Sequence, residues 1–235
     1  MISENQEERY QLMKTLLDNG RFFKLVCGAG NEDAIEVRRL STVYTLAGAN
    51  GLDVSASPEI VKACLKGIEK AYQLAHDLDI EIPVRPFITV SIGMPGDHHV
   101  RKASIDLNRC IECGLCPPVC PTAAISNRFV VERSKCIGCG HCESICPPKA
   151  NAVSFEHNER EIAEILPLCL EAGAENIELH AAVPGDDTII KEWEIVNKAQ
   201  PHHFVSMCLD RLHLSDFALT TRIKKAINIS GERFI

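Results

Sequence analysis

Short apolar segments alternate along the chain with longer segments in which apolar residues recur at helical spacing. Glycine closes several of them, as at Gly20, Gly28 and Gly48. We expect strands over 22–27, 51–54, 85–92, 176–180 and 203–207. We expect helices over 1–20, 33–47, from 58 onward, and over 159–172, 187–198 and 215–227. Strands that alternate with helices indicate a parallel sheet covered by helices.

The alternating pattern stops after the third predicted strand and resumes near residue 159. We therefore predict an α/β protein with an incomplete (β/α) TIM-barrel-like scaffold, formed by residues 1–102 and 151–235, and an insert at 103–150. A closed barrel needs eight strands, whereas we predict five and the start of a sixth at 232–235, so we expect the scaffold to be cut short. An open doubly wound sheet is the alternative. In a barrel, the insert would lie on the C-terminal face, where active sites form.

The insert contains two copies of one cysteine motif. Residues 110–121 and 136–147 both read C-x2-C-x2-C-x3-C-P, and the second copy lies 26 positions after the first. Three thiolates spaced three residues apart can bind three corners of a cubane cluster from one loop, and the fourth cysteine of each run ligates the other cluster. The motif therefore predicts a ferredoxin-like domain that binds two [4Fe–4S] clusters.

The crossed arrangement assigns four cysteines to each cluster. The ligands predicted for the first cluster are Cys110, Cys113, Cys116 and Cys146. The ligands predicted for the second cluster are Cys136, Cys139, Cys142 and Cys120. Structural zinc is the alternative, but zinc sites typically use pairs of cysteines with four ligands per ion. Zinc does not account for the third cysteine and the Cys-Pro ending of both runs.

Composition narrows the environment in which this chemistry takes place. Twelve cysteines are unusual for 235 residues, and the N-terminus has no basic and apolar leader, so metal binding in a reducing cytoplasm is favoured over disulfides. The net charge of −7 gives no indication of nucleic-acid binding. No apolar run reaches the roughly 18 residues that a membrane span requires.

Three segments outside the cysteine motif point to a known family. Residues 21–29, 44–49 and 93–101, together with the double motif, resemble the cyanobacterial iron–sulfur light-dependent period protein A family. The resemblance implies a protein that senses cellular redox state and relays it to the circadian clock, in contact with clock-associated signalling proteins. It also implies a C-terminal region longer than the one in this chain.

The charge of the insert helps to distinguish a diffusing electron carrier from a redox sensor or fixed relay. Its basic residues are Arg109, Arg128, Arg133, Lys135 and Lys149, and its acidic residues are Asp106, Glu112, Glu132 and Glu143. Diffusing electron carriers often dock through a surface of one sign, so this near-neutral insert favours a redox sensor or fixed relay. The sequence contains no nucleophile–base constellation and no P-loop. The alternative is an oxidoreductase whose clusters pass electrons to a substrate or flavin at the barrel mouth.

Several weaker features support competing interpretations. Gly28 and Gly30, followed by Asp53, are similar to a dinucleotide fingerprint, but Asp33 at the third glycine position favours a tight turn with a helix cap. Apolar surroundings favour core positions for Cys27, Cys64, Cys169 and Cys208. Candidates for proton transfer or small-molecule binding are His98, His99, His141, His180, Asp210 and Arg211. The loops expected to respond to redox state are 28–31, 93–100 and 180–184.

Overall fold

The computed structural model describes residues 6–93, 101–155, 159–182, 185–212 and 214–235. The helices are α1 Gln6–Asp18, α2 Ala34–Leu46, α3 Pro58–Leu78, α4 Cys116–Val119, α5 His141–Ile145, α6 Glu159–Glu171, α7 Asp186–Ala199 and α8 Asp216–Ser230. The strands are β1 Lys24–Gly28, β2 Gly51–Ser55, β3 Phe87–Gly93, β4 Ala103–Ile105, β5 Val153–Phe155, β6 Asn176–His180 and β7 Val205–Cys208. These bounds match the elements predicted for the scaffold to within a few residues. Within these ranges, no helix is long and apolar enough to cross a bilayer.

Five strands form one parallel sheet in the order β1-β2-β3-β6-β7. The order follows the chain, so it lacks the reversal that defines a doubly wound sheet. A single parallel bridge from Val205 to Phe234 adds the beginning of a further strand beside β7. The described strands form an open sheet, and a TIM-barrel-like scaffold is therefore not confirmed. What the structure gives is a mixed α/β fold with a singly wound parallel sheet.

The large helices pack in sequence against one face of this sheet. Right-handed crossovers that always advance in one direction place their helices on the same side, and α2, α3, α6, α7 and α8 contact one another in that order. The main core lies between them and the strands. It is built from alternate strand residues such as Leu52, Val90 and Leu179, with Trp193 fully buried among the helices. The opposite face of the sheet is left for polar residues.

Helix α1 covers the N-terminal ends of the strands. Met13 packs with Phe87 and Phe204 in a small second core. Arg9, which is only 3% exposed, pairs with Glu175 at 2.6 Å and lies over the Phe87 ring at 3.6 Å. A buried cation needs such partners because desolvation without them is costly. The C-terminal strand ends are therefore the open end of the scaffold.

The insert is a small unit with its own sheet and core. Strands β4 and β5 pair antiparallel, with Ala103 opposite Phe155, so the segment that follows the second motif returns beside the segment that precedes the first. The buried side chains of its core are few and small: Ala103, Ala124, Ile125, Cys136, Cys142 and Val153. Two of these six are motif cysteines, so the packing of the insert depends on the residues predicted to bind metal.

Candidate iron–sulfur centre

The second motif and the last cysteine of the first motif line a common cavity. Cys136, Cys139 and Cys142 of the second motif and Cys120 of the first motif are all among its lining residues. The cavity is lined mainly by apolar side chains, Ile125 among them. The four residues that the sequence assigns to the second cluster are thus brought together by the fold.

The first motif forms a second group with the last cysteine of the second motif. Burial raises the pKa of Cys116, and the neighbouring thiols of Cys110, Cys113 and Cys146 raise it further. Mutual repulsion of this kind requires that the sulfurs lie close together. The ligands predicted for the first cluster therefore also lie together. Cys146 contacts Ala152, just before the start of β5, whereas Phe155 at the other end of β5 lines the cavity of the second motif.

The spacing of these thiols fits a cluster better than a single ion. A tetrahedral zinc ion with bonds of about 2.3 Å separates its sulfurs by about 3.8 Å. All eight motif cysteines lie in the described part of the chain. Among these eight, no three sulfur atoms lie within 4.8 Å of one another. The eight thiols, none of which forms a disulfide, therefore suit a larger metal group.

Backbone N–H groups point at several of the sulfurs. Ala124 N–H donates to Cys120 Sγ at 3.2 Å, and the N–H groups of Ala103 and Ala152 donate to the sulfurs of Cys136 and Cys146 at 3.4 Å. Burial opposes ionisation of Cys120, but hydrogen bonds from the Thr122 hydroxyl and from backbone N–H groups outweigh it and lower its pKa. Such donors stabilise metal-bound thiolates.

Two basic residues at the entrance to the insert contact the second cluster loop, and one of them, Lys102, also contacts the scaffold. Lys102 is 5% exposed and donates to the carbonyl oxygens of Gly30 at 2.5 Å and Cys136 at 2.7 Å. Arg101 Nε donates to the Gly138 carbonyl oxygen at 2.8 Å, and its guanidinium stacks on the Phe155 ring at 3.8 Å. The second cluster loop is therefore held directly against the loop that follows β1. No local pattern in the sequence distinguishes the role of either residue.

The polar face of the sheet opens into a cleft beside the second cluster loop. The cleft contains about 1400 Å³ of empty space, part of it open to solvent. Scaffold residues such as Cys27 and His180 line one side, and insert residues such as Ile137 line the other. A chain of polar contacts runs along its floor, where Lys24 Nζ lies 3.1 Å from Asp53 and 2.6 Å from Glu178. Glu178 also accepts a hydrogen bond of 2.8 Å from Ser206.

The two carboxyls on this floor respond differently to burial. Burial raises the pKa of both groups, and the Lys24 ammonium lowers it. For Asp53 burial dominates and the pKa rises to about 6, whereas for Glu178 the contacts with Lys24 dominate and the pKa is lowered. Lys24 in turn has a raised pKa: burial works against this, but the two carboxylates outweigh it. The floor thus holds one firmly ionised carboxylate beside an ammonium.

The weaker sequence predictions have mixed outcomes. Asp33 caps α2 by accepting from the backbone N–H groups of Ile35 and Glu36, so the glycine turn ends in a helix cap as expected. The thiols confirmed as core are Cys27, Cys64 and Cys169. Cys208 is half-buried at the cleft, beside His180, while Arg211 pairs with Asp216 at an exposed position. Histidines 98 and 99, and loop residues 94–100 and 183–184, lie outside the described residues.

A period-two pattern would have revealed the cleft floor in the sequence. Along β2, β3, β6 and β7, core residues alternate with polar ones, namely Asp53, Thr89, Ser91, Asn176, Glu178, His180 and Ser206. Strands covered by helices on both faces are apolar throughout. The alternation therefore indicates a sheet with one face turned to a polar site.

Comparison with known proteins agrees with the chemistry of this centre. Residues 102–147 match the family model of the 4Fe-4S dicluster domain. The chain therefore contains two [4Fe–4S] clusters, and the predicted cofactors are confirmed. The matched range begins at Lys102, so it includes the residue that joins the insert to the scaffold.

Three quarters of the chain is also similar to a curated protein. It is 36% identical over 180 residues to Light dependent period A from Synechococcus elongatus, which confirms the resemblance predicted from the sequence. The match covers 76% of this chain and 49% of that protein, so the chain spans about half the length of its relative.

One solved structure covers most of the chain at low similarity. The carboxyl transferase domain of Rhizobium etli pyruvate carboxylase, solved with pyruvate, has a TM-score of 0.46 and 10% sequence identity to it. The match covers 97% of this chain and 29% of that one. Similarity at this level assigns neither a fold nor an activity.

Proposed function

We propose that this protein is an iron–sulfur redox sensor that relays cellular redox state to signalling partners, including components of a circadian clock. The observation that carries the proposal is the pair of hydrogen bonds from Lys102 to the second cluster loop and to the scaffold. A sensor needs a physical connection between the redox centre and the surface that a partner reads. Lys102 supplies that connection within the described residues.

Lys102 is placed to respond to a change of charge at the second motif. Each cluster, when bound, accepts or releases one electron, which changes the local charge by one unit. The Lys102 ammonium lies between the Cys136 carbonyl oxygen at 2.7 Å and the Glu32 carboxylate at 3.6 Å. More negative charge at the cluster loop would draw the ammonium toward Cys136 and weaken its hold on Glu32. In a buried setting such changes amount to a few kcal/mol.

The cluster loops also present apolar side chains to a partner. Each motif places two large apolar residues between its cysteines at the surface: Ile111 and Leu115 in the first, Ile137 and Ile145 in the second. They are 40–49% exposed, although they are apolar. Exposed apolar groups within a ring of polar surface are typical of protein-binding sites. A partner seated here would contact both the loops and the clusters they hold.

The insert's charge and the comparison support signalling over electron shuttling. Five basic against four acidic residues leave the insert without the one-sign surface of a diffusing carrier. The similarity to Light dependent period A supports a role in light-dependent timing. Twelve cysteines, none of them in a disulfide, suit a reducing compartment, and we place the protein in the cytoplasm.

Hydrogen–deuterium exchange under anaerobic conditions tests the connection. We expect reduction with dithionite to change the protection of residues 28–33 and 133–140 and to leave α7 unchanged. Lys102→Met should abolish the change at 28–33 while the change at 133–140 remains. If residues 28–33 exchange at the same rate in both redox states of the unaltered protein, the proposed relay is wrong.

Partner binding provides the second test. Tagged, cluster-loaded protein is held oxidised or reduced, and the affinities of the proteins it retains from cyanobacterial extract are measured. Linkage requires that a partner sensitive to redox state binds the two forms with different affinity. Equal affinities for every partner in both states would rule out the sensor.

The cleft favours a second function, that of an oxidoreductase. It lies at the C-terminal ends of parallel strands, where α/β enzymes bind ligands, and Ile137 of the second cluster loop forms part of its wall. Electrons could pass from the clusters to a substrate or flavin in this space. Steady turnover of a metabolite by purified protein, or retention of a flavin, would support this function over the sensor.

A further inference from the structure

Three potential metal ligands meet on the floor of the cleft, away from both cysteine motifs. Glu178 and His180 are two residues apart on β6, so their side chains leave the same face of the strand. Cys208 is the register partner of His180 on the neighbouring strand β7. One donor atom from each of the three lies within 4.8 Å of the other two. The sheet itself therefore sets their separation, because all three stand on paired strands.

The donor set is typical of a transition-metal site. A thiolate, an imidazole and a carboxylate are the three ligand types that zinc uses in proteins, and catalytic zinc takes three protein ligands with one open position. Bonds of about 2.0–2.3 Å place tetrahedral donors about 3.3–3.8 Å apart. Side chains already within 4.8 Å reach that geometry through small rotations.

Neighbouring residues orient Glu178 for this role. Its Oε2 accepts from Lys24 Nζ at 2.6 Å and from Ser206 Oγ at 2.8 Å. Its Oε1 faces His180, whose Nε2 lies 3.8 Å away. One oxygen is thus fixed by the surroundings, and the other is turned toward His180. Hydrogen-bonded support of a ligating carboxylate is a general feature of metal sites.

The local charge also suits a cation. Lys24 contributes one positive charge, and Asp53 and Glu178, both within 3.1 Å of its ammonium, can contribute two negative charges. A Cys208 thiolate would make the floor more negative still. A divalent ion would offset this excess, whereas an anionic ligand would add to it. The open side of the site faces the cleft, which is large enough for a small molecule.

We propose that Glu178, His180 and Cys208 bind one zinc ion whose fourth coordination position is open to the cleft. The ion would stand on the scaffold, opposite the second cluster loop, and would polarise a water molecule or an oxygen-containing ligand bound there. This site is independent of the redox relay through Lys102. A protein could therefore have either one without the other.

Zinc loading of the cluster-bound protein tests the site. Protein with full iron and acid-labile sulfide content is mixed with one equivalent of Zn²⁺, desalted and examined by elemental analysis and zinc X-ray absorption. We expect one zinc per chain with one sulfur neighbour at about 2.3 Å and three nitrogen or oxygen neighbours at about 2.0–2.2 Å. No retained zinc, or zinc surrounded by three or four sulfurs, would overturn the proposal without any variant.

Variants then assign the ligands. His180→Ala and Cys208→Ser should each weaken zinc binding at least tenfold, measured by competition with a fluorescent chelator. Cys27→Ser is the matched control, because Cys27 also lines the cleft but is not one of the three donors. It should bind zinc as the unaltered protein does. Zinc affinity unchanged in both His180→Ala and Cys208→Ser, with iron content preserved, would contradict the assignment.

Discussion

The buried ammonium of Lys102 donates a hydrogen bond of 2.7 Å to the carbonyl oxygen of Cys136, the first cysteine of the second motif. Burial lowers the pKa of Lys102, and the Glu32 carboxylate partly offsets that effect. A cation placed at the backbone of a metal ligand stabilises negative charge there. Through this contact, Lys102 links the scaffold residue Glu32 to the charge at the second cluster loop.

Replacement of Lys102 by methionine should lower the reduction potential of the second cluster. Loss of a nearby positive charge destabilises the reduced, more negative state, and we expect a shift of tens of millivolts in protein-film voltammetry or an EPR-monitored titration. Lys149→Met is the control, because Lys149 lies in the same insert but at an exposed position. Equal shifts in both variants would show that the effect is only one of net charge.

Two equivalent glycines should differ in their tolerance of alanine. Gly114 and Gly140 follow the second cysteine of each motif and have φ of 75° and 80°, so alanine is strained by about 1 kcal/mol at either position. A Cβ at Gly140 would lie 2.6 Å from the Arg101 guanidinium, whereas a Cβ at Gly114 meets nothing within 4 Å. Gly140→Ala should therefore lose much of the iron at the second cluster, while Gly114→Ala should keep most of its clusters. Equal iron and sulfide contents would contradict the role of Arg101.

The crossed ligation predicts which cluster each fourth cysteine supports. Cys146→Ala should damage the first cluster, because Cys146 lies with Cys110, Cys113 and Cys116. Cys120→Ala should damage the second, because Cys120 lines the cavity of the second motif. Iron content and the EPR spectrum of the reduced protein distinguish the two losses. Damage confined to the second cluster in Cys146→Ala would refute the crossing.

The scaffold elements and the cluster motifs could be predicted from the sequence because both depend on local patterns. The helix that begins at Pro58 and the strand 176–180 follow directly from apolar spacing and helix-start residues. The double motif by itself indicates iron–sulfur clusters, because few other sites use three cysteines at this spacing followed by Cys-Pro.

The long-range relationships could not be predicted in the same way. Whether five strands close into a barrel depends on the curvature of the sheet, which periodicity does not report. The contact of Lys102 with Gly30 joins residues 72 positions apart, and nothing in the local sequence distinguishes that lysine from an exposed one. The proposed metal site likewise needs the pairing of β6 with β7 to bring Cys208 beside His180.

Removal of the clusters should unfold the insert and leave the scaffold folded. The insert's core consists of a few small side chains, two of which are motif cysteines, so it cannot offset the chain entropy without metal. Limited proteolysis of the apo protein should therefore cut first within 104–150. The cluster-loaded protein, digested in parallel, should resist cleavage there. An apo insert as resistant as the scaffold would show that metal is not required for its fold.

The last prediction concerns His203, whose ring packs against the rings of Tyr10 and Phe87. Its Nδ1–H donates to the Asn176 side-chain oxygen at 2.8 Å, and burial lowers its pKa below the usual 6.5. The unfolded chain then binds a proton more readily than the folded one as the pH falls through 6.5. The contribution of His203 to the free energy of unfolding should therefore decrease below that pH, with a slope of at most about 1.4 kcal/mol per unit, whereas Asp53, whose pKa is raised to about 6, acts in the opposite sense over the same range.

Denaturation midpoints of the unaltered protein and of His203→Gln at pH 7.5 and pH 5.5, followed by the fluorescence of the buried Trp193, isolate the His203 contribution, because the Asp53 effect is common to both proteins. His203→Gln should be less stable at pH 7.5, because the imidazole's packing is lost, but its midpoint should fall less between the two pH values. His202→Gln provides the matched control, since His202 is the adjacent residue and is exposed. It should retain the full pH dependence of the unaltered protein. If His203→Gln retains that dependence as well, the loss of stability in acid arises elsewhere in the chain.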